Sequence, residues 1–464
     1  MTPPLATERV LSTLNQDGSR HWIHPRLAQG RFLRGRKIVG YALIAMFLAL
    51  PFVHIGGRPA LLLDVLTQEL SVFGAVFKAS DGVLLMLLGL TIVVAVFLVT
   101  ALFGRVWCGW GCPQTVYLEH VFRPIERWLE GSPSQRRKLD ASSRPHGRRV
   151  LKWVIYAALS FVLSNVFLAY FVGVDRLALW VLHSPLQHPG GFMVVAGVAA
   201  LMLFDFGYFR EQTCIVACPY GRLQSVLLDR QSLIIGYDQR RGEPRAKPKK
   251  HLPVIGERGD CIDCSACVAV CPTGIDIREG LQMECIGCAQ CIDACDAVMD
   301  RVGKPRNLIG YTSQDELAGK PRRLLRARTI IYPVLLAAIA GLFVWSLGGR
   351  VTSNVLVERS QGPSFVELPD GTISAQARIR IANDTDGDRS YVVDLSRAPD
   401  AKLRTPQLTW QLHPGKSLSI PLFVDVPRAS FVLGKRTIHL RIQDDLGFAR
   451  VLVVTLLGPE GSAR

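Results

Sequence analysis

The chain has 464 residues, 12 cysteines, a formal net charge of +16 and 20% charged residues, yet its mean hydropathy is positive. Apolar residues are therefore gathered into blocks, which excludes a single soluble domain and leaves room for roughly two to four domains. The charge points to no nucleic acid, because no recognition motif accompanies it, and no cysteine follows Cys295, which excludes a disulfide-framed secreted fold.

Residues 1–37 read as a flexible basic arm. Apolar blocks follow at about 38–55, 83–103, 150–172, 192–208 and 329–347, each close to the roughly 20 residues a helix needs to span a bilayer. The fourth is the shortest and holds Asp205, an intramembrane carboxylate that is a functional candidate, with a snorkelling structural role equally open. The polar segment ahead of the first block is too long for a cleaved signal peptide. Lys and Arg crowd before block one, between blocks two and three, and between four and five; the other connections hold few. By the positive-inside rule this is a multi-pass protein of the bacterial inner membrane, with a cytoplasmic N-terminus and a periplasmic segment after block five. Residues 60–70 suit a short amphipathic helix lying in the interface. Trp107, Trp110 and Trp128 suit an interfacial aromatic belt.

Blocks one and two form one hairpin, and blocks three and four another. Each hairpin leads into C-x3-C-P: Cys108-Gly-Trp-Gly-Cys112-Pro113 in the first, Cys214-Ile-Val-Ala-Cys218-Pro219 in the second. Internal repeats place equivalent elements around one shared site, so the four thiols are expected to meet at the inner membrane face. A spacing of four puts two thiols on one side of a helix, while Gly109, Gly111 and Pro113 allow a turn in the first copy. Soft thiolates suit Cu(I). The same four sulfurs suit another iron–sulfur centre or redox-active disulfides, and buried inert cysteines are the plain alternative. His54, His183 and His188 fall on the outer side, and His120 lies just beyond Cys112. Haem, copper or quinol contacts are one reading of them, and hydrogen-bonded interfacial histidines the simpler one.

Residues 240–327 carry the strongest motif. Cys261-x2-Cys264-x2-Cys267-x3-Cys271-Pro272 and Cys285-x2-Cys288-x2-Cys291-x3-Cys295 give C-x2-C-x2-C-x3-C twice, the thiolate spacing of a bacterial two-cluster ferredoxin. Three cysteines of each run hold one 4Fe-4S cluster and the fourth reaches the other. Cluster one takes Cys261, Cys264, Cys267 and Cys295; cluster two takes Cys285, Cys288, Cys291 and Cys271. Zinc also binds paired C-x2-C, but a closed zinc site has no use for the interleaved double run. Asp296 stands where the second run would carry proline. Thiolate clusters fit a reducing compartment. A basic linker, 240–251, precedes this domain, and residues 328–348 form the fifth span. Seven alternating runs within 349–464, separated by turn signals such as His413-Pro414-Gly415-Lys416, predict an all-β immunoglobulin-like sandwich without a catalytic constellation. The fold class is thus a multi-domain integral membrane protein: an α-helical bundle of five spans, four of them within 38–239, an α+β ferredoxin-like domain, and a C-terminal sandwich.

Taken together, the basic arm, the hairpins ending in C-x3-C-P, the doubled ferredoxin run, the last span and the sandwich resemble the CcoG/FixG/RdxA family of cytochrome c oxidase accessory proteins. The resemblance covers nearly the whole chain. More distantly, the first two-thirds is similar to polyferredoxin subunits of nitrous-oxide and periplasmic nitrate reductase systems. The resemblance implies a cupric reductase serving assembly of cbb3-type oxidase, with oxidase assembly factors and copper chaperones as partners. It also implies copper bound or reduced at Cys108, Cys112, Cys214 and Cys218. The spacing itself supports the two 4Fe-4S clusters strongly and copper only permissively. The electron donor is not legible, and self-association into a homo-oligomer is left open. A quinol- or donor-coupled electron-transfer subunit for a periplasmic reductase, and a redox-sensing assembly scaffold, are the other function classes.

Overall fold

The computed structural model describes residues 12–14, 20–78, 81–142, 146–245, 259–321, 325–348, 353–358 and 363–459, apart from 384, 386, 397, 406, 408, 414 and 415. The second half of the expected linker, 246–251, the first residues of the arm and the Pro414-Gly415 turn lie outside these. Two compact units emerge, Met1–Val344 and Trp345–Arg464.

In the first unit, five helices among the described residues are long and apolar enough to cross a membrane: Arg31–Phe52, Gly82–Phe103, Gly147–Val172, Pro189–Phe209 and Ala327–Gly348. They correspond to the five apolar blocks and are called spans one to five below. Their sides are largely open, and none of the fifth is buried within the protein; a helix apolar all round needs lipid as its solvent. The connection after span one differs from expectation. Residues 60–70 form no amphipathic helix. Instead Leu61–Asp64, Glu69–Val72 and Ala75–Lys78 make an antiparallel meander. Asp64 accounts for the turn: its Oδ1 accepts from the N–H groups of Leu66 (2.9 Å) and Thr67 (3.1 Å), and its Oδ2 pairs with Arg176 at 2.9 Å.

The arm is less free than its composition suggests. Arg26 N–H donates to Ala269 O at 2.8 Å, and His24 meets Asp140 at 2.7 Å. The first N–H groups of span one, from Phe32 and Leu33, donate to the Asp293 carboxylate at 3.2 and 2.8 Å. That carboxylate belongs to the ferredoxin-like domain and fills the place of an N-cap, satisfying donors every helix leaves open.

The ferredoxin-like domain has helices Ala266–Ala269 and Gln290–Arg301. It is closed by a two-stranded sheet in which Ile234–Tyr237 pairs antiparallel with Ile309–Thr312. Its first strand thus starts ahead of residue 240. All four residues of that strand are buried, so it has none of the alternation by which a half-exposed strand is recognised. Asp296 lies inside the helix Gln290–Arg301 and its Oδ1 accepts from Asn307 N–H at 2.9 Å; a continuing helix has no place for proline there.

The second unit is a two-sheet sandwich. One sheet runs 402–404, 417–427, 372–383, 353–358, with 365–367 beside 372–383; the other runs 409–412, 389–396, 435–444, 449–457. All seven expected strands form, and Phe365–Glu367 and Lys402–Arg404 add two short ones. Alternate side chains point inward, and Ile373, Ile379, Ile381, Leu422, Leu440 and Ile442 are wholly buried.

Candidate redox site

The doubled cysteine run folds into two sets. Cys295, the last of the second run, sits in the electrostatic range of Cys267, Cys261 and Cys264. Cys291 has Cys288, Cys285 and Cys271 around it, with Cys267 of the first run also near. Cys295 thus lies near the first run and Cys271 near the second, and Cys267 is near both. A small cavity between Cys267, Cys271, Cys285, Cys288 and Cys291 is otherwise walled mainly by apolar groups, among them Ile235, Ile275, Ile277 and Ile286. Positive φ angles at Asp263, Ser265, Gly287 and Ala289 turn the backbone between cysteines. The N–H groups of Gly287 and Gln290 are aimed at the sulfurs of Cys285 and Cys288. Thiols around an apolar cavity, with N–H donors for the sulfurs, fit a cubane held by this chain. Burial pushes Cys285 and Cys295 up to about 12 and Cys288 to about 11, so ligation must displace protons.

The two C-x3-C-P segments repeat each other in structure. Neither is a continuous helix. The short helix Val106–Trp110 stops before Cys112, and a π-turn, Thr213–Ala217, stops before Cys218. Cys112 and Cys218 are each extended and each stands as N-cap of a helix with proline first, Pro113–Tyr117 and Pro219–Leu227. Cys112 N–H donates to Trp107 O, and Cys218 N–H to Thr213 O, both at 2.8 Å and both five residues back. Asp205 ties the copies together: it accepts from Gln114 Nε2 at 3.2 Å and from the Thr213 hydroxyl.

All four thiols fall in one another's electrostatic range. Cys214 senses Cys112, Cys108 and Cys218, and Cys108 senses Cys112 and Cys218. Burial and these neighbours raise Cys214 to about 12, and burial raises Cys108 to about 11 against the pull of Arg105. The Cys108 thiol donates to Gln224 Oε1 at 3.0 Å. Among the described residues no three His, Cys, Asp or Glu side chains converge closely enough for one ion, at this ring of four thiols or in the ferredoxin-like domain.

This ring touches the second cysteine set. Cys108 packs with Ile286 and Cys288, and Cys214 and Tyr220 lie against the same group. Arg36, wholly buried, donates from Nε to Gly109 O at 2.8 Å. Arg105 donates to Gly221 O at 3.1 Å and to Met283 O. Trp110 Nε1 donates to Tyr311 OH at 3.1 Å, and that hydroxyl donates to Gly287 O at 2.9 Å. Trp110 thus braces the junction rather than joining an interfacial belt; Trp128 is exposed as a belt residue would be. Arg36 carries no motif, and its neighbours made it look like one topology charge among several. Gln224 and Tyr311 have no sequence signal at all.

The histidines sit apart from this ring. His54 meets Phe52 O at 3.1 Å, His183 meets Leu179 O at 2.7 Å, and His188 stacks on Trp180 at 5.0 Å. His120 is buried, and burial and Arg36 hold it at about 4, hence neutral.

Three family models match the chain. One described as a 4Fe-4S dicluster domain covers residues 209–314, one described as a 4Fe-4S binding domain covers 85–131, and the immunoglobulin-like fold at the C-terminus of FixG covers 343–455. Protein RdxB of Cereibacter sphaeroides is 36% identical over 354 residues, 74% of this chain and 73% of that protein. Protein RdxA of the same organism is 36% identical over 392 residues, 80% and 81%. The nitrogen fixation protein FixG of Rhizobium meliloti is 30% identical over 483 residues, 92% and 90%. With its membrane helices, paired cysteine sets and C-terminal sandwich, this chain belongs to the FixG/RdxA family of membrane iron–sulfur electron-transfer proteins.

Proposed function

We propose that the protein is a cupric reductase: it delivers single electrons to Cu(II) at Cys108, Cys112, Cys214 and Cys218 and releases Cu(I) for assembly of a cbb3-type oxidase. The observation that carries this reading is the packing of Cys108 on Cys288 and Ile286, which puts the thiol ring in contact with a cysteine of the second set. The 4Fe-4S clusters that the two sets would hold store and pass one electron at a time, matching Cu(II) + e⁻ → Cu(I).

Copper here is substrate. Soft sulfur ligands favour Cu(I), which accepts low coordination numbers. A pair of sulfurs suits an ion that arrives, is reduced and leaves. The Cys108 and Cys214 thiols, raised by burial, are neutral at pH 7, so copper capture by them releases protons. In this reading the N-terminus and ferredoxin-like domain face the cytoplasm, the sandwich faces the periplasm, and oxidase assembly factors and copper chaperones are the partners. The distribution of Lys and Arg supports that orientation.

A second reading is favoured by the 4Fe-4S binding model over 85–131, which contains Cys108 and Cys112: the four thiols would hold a third cluster. One preparation tests both. Purified full chain is reduced, freed of reductant and mixed with Cu(II), and Cu(I) is followed with a chelator while iron per chain is counted. About eight irons, with Cu(I) formation lost in the variant carrying Ser at all four positions, is the expected result. A variant as fast as wild type sinks the copper role, and about twelve irons falling to about eight in the variant establishes the third cluster.

A further inference from the structure

A cavity of about 380 Å³ lies between the segments that follow spans two and four and the second cysteine set. Its volume is within the roughly 300–1,000 Å³ of small-molecule sites. Val106, Leu228, Leu233 and Leu281 give it apolar walls, and Cys285, a member of the second set, forms part of them. A ligand there would touch a cluster-bearing loop directly.

The cavity stands where spans end. Val106 follows the last residue of span two, Phe103, by one short turn. Arg326, just ahead of span five, pairs with Asp229 on the cavity rim and donates to Ala101 O at 3.3 Å. Arg328 donates to Leu227 O at 2.8 Å. On the outer side Leu281 and Met283 are 45% and 63% exposed, an apolar lip. The ligand this suits is ring-sized, redox-active and lipid-soluble. A nucleotide cofactor would need cations for its phosphates, and both arginines lining the cavity are already engaged: Arg105 by the carbonyls of Gly221 and Met283, Arg230 by Asp315 at 3.0 Å.

We propose that this cavity is a quinol site exchanging electrons with the cysteine set at Cys285. In that exchange a quinol breaks its two O–H bonds and becomes quinone. Its two electrons enter the two one-electron centres of the cysteine sets, and its two protons leave to water past the polar rim of Asp229 and Gln282. The inference rests on the electron-transfer reading and not on copper as acceptor.

The test uses the iron-loaded full chain in lipid nanodiscs. A photoreactive azidoquinone is crosslinked and mapped, and cluster absorbance is followed after quinol meets oxidised protein and after quinone meets reduced protein. Label on residues 228–235 or 281–287, displaced by unlabelled quinone, is expected. Leu281→Trp, on the exposed lip, is expected to slow both exchanges about tenfold, a loss of about 1.4 kcal/mol, with iron content and dithionite reduction unchanged. Label elsewhere, label displaced by a flavin instead, or a Leu281→Trp protein as fast as wild type overturns the site. If that variant loses iron, the wild-type labelling map decides alone. Dithionite-driven Cu(I) formation bypasses the cavity, so failure here leaves the cupric reading standing, and the converse holds.

Discussion

A methyl group added at Gly109 would lie 2.7 Å from Cys288 Cα and 2.7 Å from Ile286 O, both backbone atoms. Neither can swing aside, so the two loops would have to separate. Gly109→Ala is therefore expected to cost about 1–3 kcal/mol of overpacking and to slow Cu(I) formation from pre-reduced protein, with iron per chain unchanged because every ligand remains. Iron analysis beside a stopped-flow trace checks this; an unslowed rate would show that the contact carries no electrons. The cysteines themselves were legible, because thiolate spacing is a local signature. Gly109, Arg36, Gln224 and Tyr311 were not. Each acts by meeting a segment far along the chain, as Arg36 does at Gly109 and Tyr311 at Gly287, and a single sequence holds no record of such meetings.

The helices around the thiol ring are fastened by a buried ionic network. Arg210, ahead of the second C-x3-C-P, grips Glu126, beyond the first, through two bonds of 3.0 Å. Arg136 adds a third contact at 3.3 Å. Arg123 reaches Glu211 at 3.1 Å and Pro272 O at 3.4 Å, so the network also holds the loop behind Cys271. Burial alone would raise the Glu126 carboxyl, but the guanidiniums of Arg210 and Arg136 outweigh it and bring it down to about 2. A carboxylate depressed from about 4.5 contributes stability above that pH and loses it as pH falls toward 2. Wild-type melting temperature in detergent is thus expected to fall between about pH 4.5 and 2. Glu126→Gln leaves buried Arg136 without its charge partner and Arg210 with only Glu211, at 3.7 Å, a loss of about 3–5 kcal/mol, and should flatten that acid limb. An acid limb equally steep in Glu126→Gln would assign the lability elsewhere. The sequence announced the spans through hydropathy and the sandwich strands through alternation. It misled at 60–70, where the Asp64 turn decides for strands, and at Ile234–Tyr237, where complete burial removes the pattern.

Across the whole molecule, the cysteine chemistry lies within the first unit and the sandwich has its own core. A chain ending after span five, at residue 348, is expected to keep its iron and its rate of Cu(I) formation. Loss of either in the purified truncation would make the sandwich a part of the redox machinery. The ferredoxin-like domain meets the membrane part in another way. Its first and last strands are partners, with Ile234 opposite Thr312, so the chain enters and leaves it at adjacent points. Seen from the helices, the whole insert is a short hairpin turn. The sheet has already met the entropy of closing so long a loop, and the connection between spans four and five is no looser for it. That strand pair is a neck of its own, added to the grip that Asp293 keeps on span one and Ile286 and Cys288 keep on Gly109.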